Sequence, residues 1–374
     1  MRISSAFDAG AIEVLNLDDP HNIRLRLRAD NAADFRQWFH FRLMDAAGKP
    51  VRMVFENAAQ AAYPDGWPGY RCVASYDRQH WFRIVGTAYE GGQLIVEHTP
   101  ERDSIYYAYF EPYSHERHLD LLARAEASPF AGVRNLGATV DGHDLDVVVV
   151  GQPAPTRKPI WIIARQHPGE TMAEWFVEGL LERLLDSADA VAHKVREHAV
   201  LYIVPNMNPD GAVRGNLRTN AAGRNLNREW REPDLSASPE VFLVREDMQR
   251  TGCALFLDIH GDEALPYVFF STAEEVPGFT TRAAAQQARF IETFGAVAPD
   301  FQTEKGYMRG RFGEELLTLA SKWVANHFGC VSLTLEMPFK DNARLPDEQV
   351  GWNGARSKRL GAAMLDPILR HLID

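Results

Sequence analysis

Three residues, scattered over nearly a hundred positions, have the types that share one cation. His167 and Glu170 stand three apart in HPGE, after the apolar run PIWIIA and before a long helical pattern, and His260 lies in LFLDIHGDE. Two imidazoles and one carboxylate are the ligand set of catalytic zinc, with a fourth position left for water. Bound zinc lowers the pKa of that water from ~15.7 to about 7. Hydrolysis then needs a carboxylate to take the proton. Glu336, which closes VSLTLE, is the candidate. An acid ending a buried strand is costly to desolvate unless it faces a cleft or a partner. Each signal also has a plainer reading. HxxE alone is unspecific, His260 can be a satisfied core histidine, and Glu336 can be half of a structural ion pair. The ordered set is more specific than its parts.

A fourth stretch is almost devoid of hydrophobes. Residues 205–230 (PNMNPDGAVRGNLRTNAAGRNLNREW) hold Arg214, Arg218, Arg224 and Arg228, interleaved with Asn208, Asn216, Asn220, Asn225 and Asn227. Arginine binds carboxylates through a planar fork, and asparagine adds neutral donors. Such a loop after a buried strand suits capture of an anionic group. A solvated surface loop is the alternative.

The elements that must position these residues are legible as periodicity. The runs 145–150, 159–164, 199–204, 254–259, 267–270 and 331–335 are continuously apolar, as strands covered on both faces are. Helical patterns over 170–186, 238–251, 280–294, 312–328 and 353–372 lie between them. The alternation predicts an α/β domain with a mixed, mostly parallel central sheet, whose ligands bind beyond the carboxyl ends of the strands. Residues 1–115 read differently. Short alternating runs (IRLRLRAD, QWFHFRLM, QLIVEHT) are broken by turn material, which predicts an antiparallel β-sandwich. Its many aromatics (Trp38, Phe39, Phe41, Trp67, Trp81, Phe82, Tyr106, Tyr107, Tyr109, Phe110) are expected in core and cross-strand packing. The predicted domains are 1–115 and 116–374, since 374 residues exceed what one core usually serves.

Bulk composition excludes some classes. The net charge of −11 argues against general nucleic-acid binding. No apolar run approaches the roughly 18 residues of a membrane span. The N-terminus has early acids and no secretory pattern, so a cytoplasmic protein is expected. Cys72, Cys253 and Cys330 show neither CxxC nor zinc-finger spacing and are expected as reduced thiols, Cys253 and Cys330 within apolar runs.

In this order, HPGE, NPDG…GNLR…GRNLNREW, FLDIHG and TLEMPF resemble the zinc carboxypeptidase family, most closely its cytosolic carboxypeptidase branch. The stretches QWFHFRL, YPDGWPGYRCVASYDRQHWFRI and YYAYFEPYSHERH are similar to the sandwich that precedes the catalytic domain there. The resemblance implies a carboxypeptidase-like α/β/α domain holding one Zn2+ on His167, Glu170 and His260. It implies Glu336 as general base and later acid. Arg218 would polarise the scissile carbonyl, and Asn227 and Arg228 would clamp the terminal carboxylate of a peptide or protein C-terminus. Tyr307, in EKGYMRGRF, would be the family's mobile tyrosine. One departure stands out: the family often has Asp where this chain has Asn225, a neutral acceptor for a zinc-bound His. Removal of acidic C-terminal residues is the activity associated with that branch. Lys305, Arg309, Arg311 and Lys322 would form the matching basic side of the pocket, or else be solvated surface charges. Two other readings stay open: a zinc amidohydrolase acting on a small acylated amino acid or cell-wall peptide, and a non-catalytic scaffold. The second would have lost a ligand or the base, and all are present.

Overall fold

The computed structural model describes residues 1–277, 279–308 and 310–373. Its first part is a pair of five-stranded sheets. Period-two alternation turns Phe39, Phe41 and Leu43 inward, in and just before the strand His40–Met44. There Phe39 meets Phe55 of the opposite sheet with ring centroids 4.8 Å apart. Trp38, Phe39, Phe41, Trp67, Tyr107, Tyr109 and Phe110 are buried, while Trp81, Phe82 and Tyr106 are half-buried. The expected antiparallel pattern has one exception: Ile23–Arg26 pairs parallel with Val51–Phe55. Between the two the chain crosses to the other sheet and lays down His40–Met44, so it returns in the original direction.

The second part is built on a seven-stranded sheet. Ala199–Val204, Lys158–Ala164, Leu255–Asp262 and Val331–Pro338 run parallel at its centre. Antiparallel strands close both edges, with Ala131–Ala138 and Asp144–Val150 on one side and Phe269–Ser271 on the other. The central runs lack alternation because both faces are covered. Ile160 and Ile162 pack with Phe176 and Leu180 on one face, and Trp161 and Ile163 with Val241, Val244 and Met248 on the other. Each such buried side chain contributes about 1.5–3 kcal/mol. The edge strand Ala131–Ala138 lies outside the predicted runs because it is only half-buried and carries few apolar residues.

Two predicted helices are divided. The pattern over 312–328 is a 3-10 segment, Gly313–Thr318, followed by the helix Ala320–Phe328, with Leu319 extended between them. The pattern over 353–372 is Gly354–Ala363 and then Leu365–Ile373. Pro367 lacks the N–H that a continuous helix would direct at Ala363. The helix Met172–Leu184 crosses Gly354–Ala363 at backbone contact. A Cβ at Gly179 would lie 2.0 Å from the Lys358 carbonyl oxygen, and one at Gly361 would lie 1.9 Å from that of Phe176. Only glycine permits this approach.

Buried residues form one continuous cluster from the N-terminal sheets into the α/β part. Tyr109 stacks on Phe339 across that junction, with centroids 4.7 Å apart. Cys72 and Cys253 are buried and Cys330 is half-buried, all as free thiols. The sulfurs of Cys253 and Cys330 are 3.9 Å apart despite their separation in sequence.

Candidate active site

His167 follows Lys158–Ala164, and Glu170 stands two residues before the helix Met172–Leu184. His260 and Glu336 face each other as a register pair on neighbouring parallel strands. Sequence places these two at strand ends. The ladder in fact runs on through Asp262 and Pro338, so both are held by strand geometry on either side.

One ligand atom each from His167, Glu170 and His260 lies within 4.8 Å of the others. Glu170 divides its carboxylate between the two rings. Its Oε1 is 2.6 Å from His167 Nδ1, and its Oε2 is 2.7 Å from His260 Nδ1. The outer ring nitrogens have acceptors of their own. His167 Nε2 is 3.0 Å from Asn225 Oδ1, and His260 Nε2 is 2.9 Å from Asp258 Oδ1. Asp258 accepts twice from Gln166 Nε2, at 3.0 and 2.9 Å, and Gln166 Oε1 accepts from Trp230 at 2.8 Å. An imidazole that donates its Nε2–H to a fixed acceptor presents the Nδ1 lone pair inward, as metal-ligating histidines do. The donor set therefore fits a zinc ion bound by two Nδ1 atoms and one carboxylate.

Burial alone would lower His260, but Asp258 and Glu170 outweigh it and hold its pKa well above the ordinary imidazole value. Burial and the nearby Arg218 push His167 down to about 3. Burial would raise Glu170, but the two imidazoles overcome it and hold the carboxyl low. Burial raises Glu336 to about 8. The Glu336 Oε2 atom is buried with no partner among the described residues.

Glu336, Arg218, Asn227, Arg228 and Tyr307 line the same cavity as the three donors, with a volume of about 660 Å³. Tyr307 places its hydroxyl 3.0 Å from Glu336 Oε1 and 2.7 Å from Asp262 Oδ2. An Arg218 nitrogen is 3.9 Å from Glu170 Oε1, and its guanidinium lies beside the rings of Tyr63 and Phe35. Arg228 donates to the Asn227 carbonyl at 2.7 Å and stays 30% exposed. Asn227 has already committed its Oδ1 to the Ala320 N–H at 2.9 Å, which leaves the Nδ2 donor.

The four cations proposed for a basic pocket separate. Lys322 is buried, Arg311 is exposed and stacks on Tyr307 at 3.9 Å, and Lys305 is exposed. Arg309 lies outside the described residues.

Sequence reasoning missed Asp258, Gln166 and Tyr63. Asp258 was findable, since residues two apart on a strand share a face and Asp258 precedes His260 by two. Tyr63 comes from a loop of the N-terminal part, just before the 3-10 turn Pro64–Gly66, and carries no local signal.

Residues 3–110 match the cytosolic carboxypeptidase N-terminal domain, and residues 116–353 match the zinc carboxypeptidase family. A metallo-carboxypeptidase from Burkholderia cenocepacia is 55% identical, with 100% of this chain and 99% of that one covered at a TM-score of 0.97. One from Pseudomonas aeruginosa, solved in complex with (2-guanidinoethylmercapto)succinic acid, is 45% identical over 99% of this chain and 98% of its own, at a TM-score of 0.95. Cytosolic carboxypeptidase 6 of Mus musculus is 33% identical over 71% of this chain. The cytosolic carboxypeptidases are longer proteins: the chain spans 54% of that relative and 30% of cytosolic carboxypeptidase 3 of Bos taurus. The chain therefore belongs to the zinc carboxypeptidase family and carries the N-terminal domain of the cytosolic carboxypeptidases.

Proposed function

We propose that the protein is a metallocarboxypeptidase that releases the C-terminal residue of a peptide or protein. The convergence of His167, Glu170 and His260 in one cavity with Glu336 carries this reading. Zinc, once held by these three, supplies Lewis acidity and lowers the pKa of the attacking water. Glu336 takes that water's proton and passes it to the leaving amine. Arg218 donates to the scissile carbonyl oxygen as charge develops there. Arg228 grips the terminal carboxylate with its fork, and Asn227 adds the Nδ2 donor. Tyr307 closes the site beside Glu336. Only a chain end offers a carboxylate at that point, so internal bonds are spared. The dicarboxylate bound by the Pseudomonas relative suits the same clamp.

The preferred C-terminal residue is acidic. A second cavity of about 800 Å³ shares Gly306, Tyr307, Met308 and Phe312 with the first. Lys322 lines it, donating to Ser271 Oγ at 3.1 Å and to the Thr272 carbonyl. An ammonium has three N–H groups, and Lys322 has no ion-pair partner among the described residues. Ser271 pairs with Thr334 and Phe269 with Glu336. Lys322 is thus anchored two strand positions below the row of Glu336, roughly 6–7 Å. That suits the reach of a glutamate side chain.

We also place a domain boundary at 115/116, giving domains 1–115 and 116–374, and a cytoplasmic location. The two family matches meet between residues 110 and 116, which supports the first. The cytosolic relatives support the second.

The test is digestion of a peptide ending in several glutamates, read by mass spectrometry. Stepwise shortening is expected with the native protein and not with chelated protein or Glu336→Gln. An intact peptide with every preparation would sink the carboxypeptidase reading and leave the amidohydrolase. Faster release of Leu or Lys than of Glu or Asp, in peptides differing only at the last residue, would remove the acidic preference alone.

A further inference from the structure

Arg218 does not hold its own place. A loop of the N-terminal part, between the strands Ile23–Arg26 and His40–Met44, binds the loop that carries it, through a side chain 188 residues earlier. Asp30 is 6% exposed. Its Oδ1 accepts from the Leu217 N–H at 2.6 Å. Its Oδ2 accepts from the Arg218 N–H at 3.0 Å, the Thr219 N–H at 2.8 Å and the Thr219 hydroxyl at 2.8 Å. One carboxylate thus fixes three consecutive residues with Arg218 at their centre. Charge-assisted bonds of this kind are roughly twice as strong as neutral ones.

The neighbouring contacts point the same way. Asn216 donates to Asn31 Oδ1 at 2.7 Å, and Asn31 donates to the Ala221 carbonyl at 2.7 Å. Gly215 and Gly223 have φ of +69° and +77°. A Cβ at these positions would meet the carbonyl oxygens of Ala9 and Ala32 at 2.8 and 2.3 Å. The loop therefore lies backbone to backbone on the N-terminal segment. Beyond the backbone, the rings of Tyr63 and Phe35 stand 5.2 and 5.8 Å from the Arg218 guanidinium carbon.

We infer that Asp30 is a positioning residue for Arg218, which makes the N-terminal part of the chain a contributor to the catalytic apparatus. The inference rests on the role given to Arg218 above. Arg218 acts on charge that develops in the transition state, so its misplacement lowers kcat more than it raises KM.

The experiment is a double-substitution cycle on the zinc-loaded full chain, with a glutamate-ended peptide as substrate. Melting temperature and zinc content are measured beside kcat and KM. Asp30→Asn keeps the size but turns an amide N–H toward groups that are themselves donors. The expected result is a loss in kcat of roughly 10–100-fold with KM near native. In an Arg218→Ala background, the same change should cost nothing further. Thr219→Val removes one bond from the loop side; it should give a smaller loss of the same kind, and it decides the question if Asp30→Asn does not fold. Native kcat in folded Asp30→Asn would overturn the inference. So would an equal loss with and without Arg218, because Asp30 would then act through the fold at large. If Arg218→Ala alone leaves kcat intact, the role of Arg218 fails first. Persistence of carboxypeptidase activity would then show that the parent reading survives.

Discussion

The hydroxyl of Tyr307 stands between two carboxyl groups, 2.7 Å from Asp262 Oδ2 and 3.0 Å from Glu336 Oε1. A phenol has one proton to donate, and the nearer carboxylate, Asp262, takes it. Glu336 is left weakly bonded at one oxygen and, among the described residues, unpartnered at the other. Burial of a carboxyl group with so few donors raises its proton affinity, which suits the proposed role of taking and returning a proton.

Replacing Glu336, the proposed base, is the most direct check. Glu336→Gln keeps the shape and is expected to lower kcat by about 10²–10⁴-fold, with zinc content unchanged. Steady-state kinetics with metal analysis decide it. Near-native turnover in the folded variant would rule out Glu336 as the base.

Metal affinity should depend on residues that do not touch the metal. Asp258→Asn removes the charged acceptor behind His260, and a 10–100-fold weaker zinc affinity is expected. Competition against a chromophoric chelator measures it. Unchanged affinity would mean that Asp258 serves the strand and not the ring.

The proposed acidic preference should fade in alkali. Burial lowers Lys322 to about 8. Above that pH the ammonium becomes neutral, so the ratio of kcat/KM for peptides ending in Glu and in Gln should fall toward one. Taking the ratio at each pH cancels effects on the zinc site. A flat ratio from pH 6.5 to 9.5 would exclude Lys322 as the determinant. Stability has its own sign: Lys322 is depressed below its unfolded value, so the unfolded chain binds more protons between about 8 and 10.5. Its contribution to stability therefore rises across that window.

Glu240 should act oppositely. Burial raises it to about 8, against the hydrogen bonds its carboxyl accepts from its own backbone N–H and from Asn220. The folded state then holds a proton that the unfolded chain has released above about 4.5, so stability falls as pH rises toward 8. Glu240→Gln should stabilise the protein at pH 8.5 by roughly 1–3 kcal/mol, with little effect at pH 4.5. Thermal melts at the two pH values test it, and equal shifts at both would contradict it.

Much of the site was legible because its residues sit in local patterns. HPGE lies between a strand and a helix, and His260 and Glu336 terminate apolar runs, so order and spacing were enough to bring them together. The parallel core was legible for the same reason, since strands covered on both faces lose their alternation. What escaped was set by contacts remote in sequence. Asp30 and Tyr63 meet the Arg218 loop only after two stretches of chain have folded against each other. Lys322 reads as one charge among several in sequence, and only packing separates it from Lys305 and Arg311. The edge strand Ala131–Ala138 has too few apolar residues to announce itself.

The glycine crossing between Met172–Leu184 and Gly354–Ala363 leaves the first helix no freedom to roll. That helix starts two residues after Glu170, so its axis aims the carboxylate that both imidazoles share. A single methyl group at position 361 would act as a wedge between the two backbones. The lesion would sit in a C-terminal helix that touches no substrate, yet its first symptom would be an enzyme that cannot keep its metal.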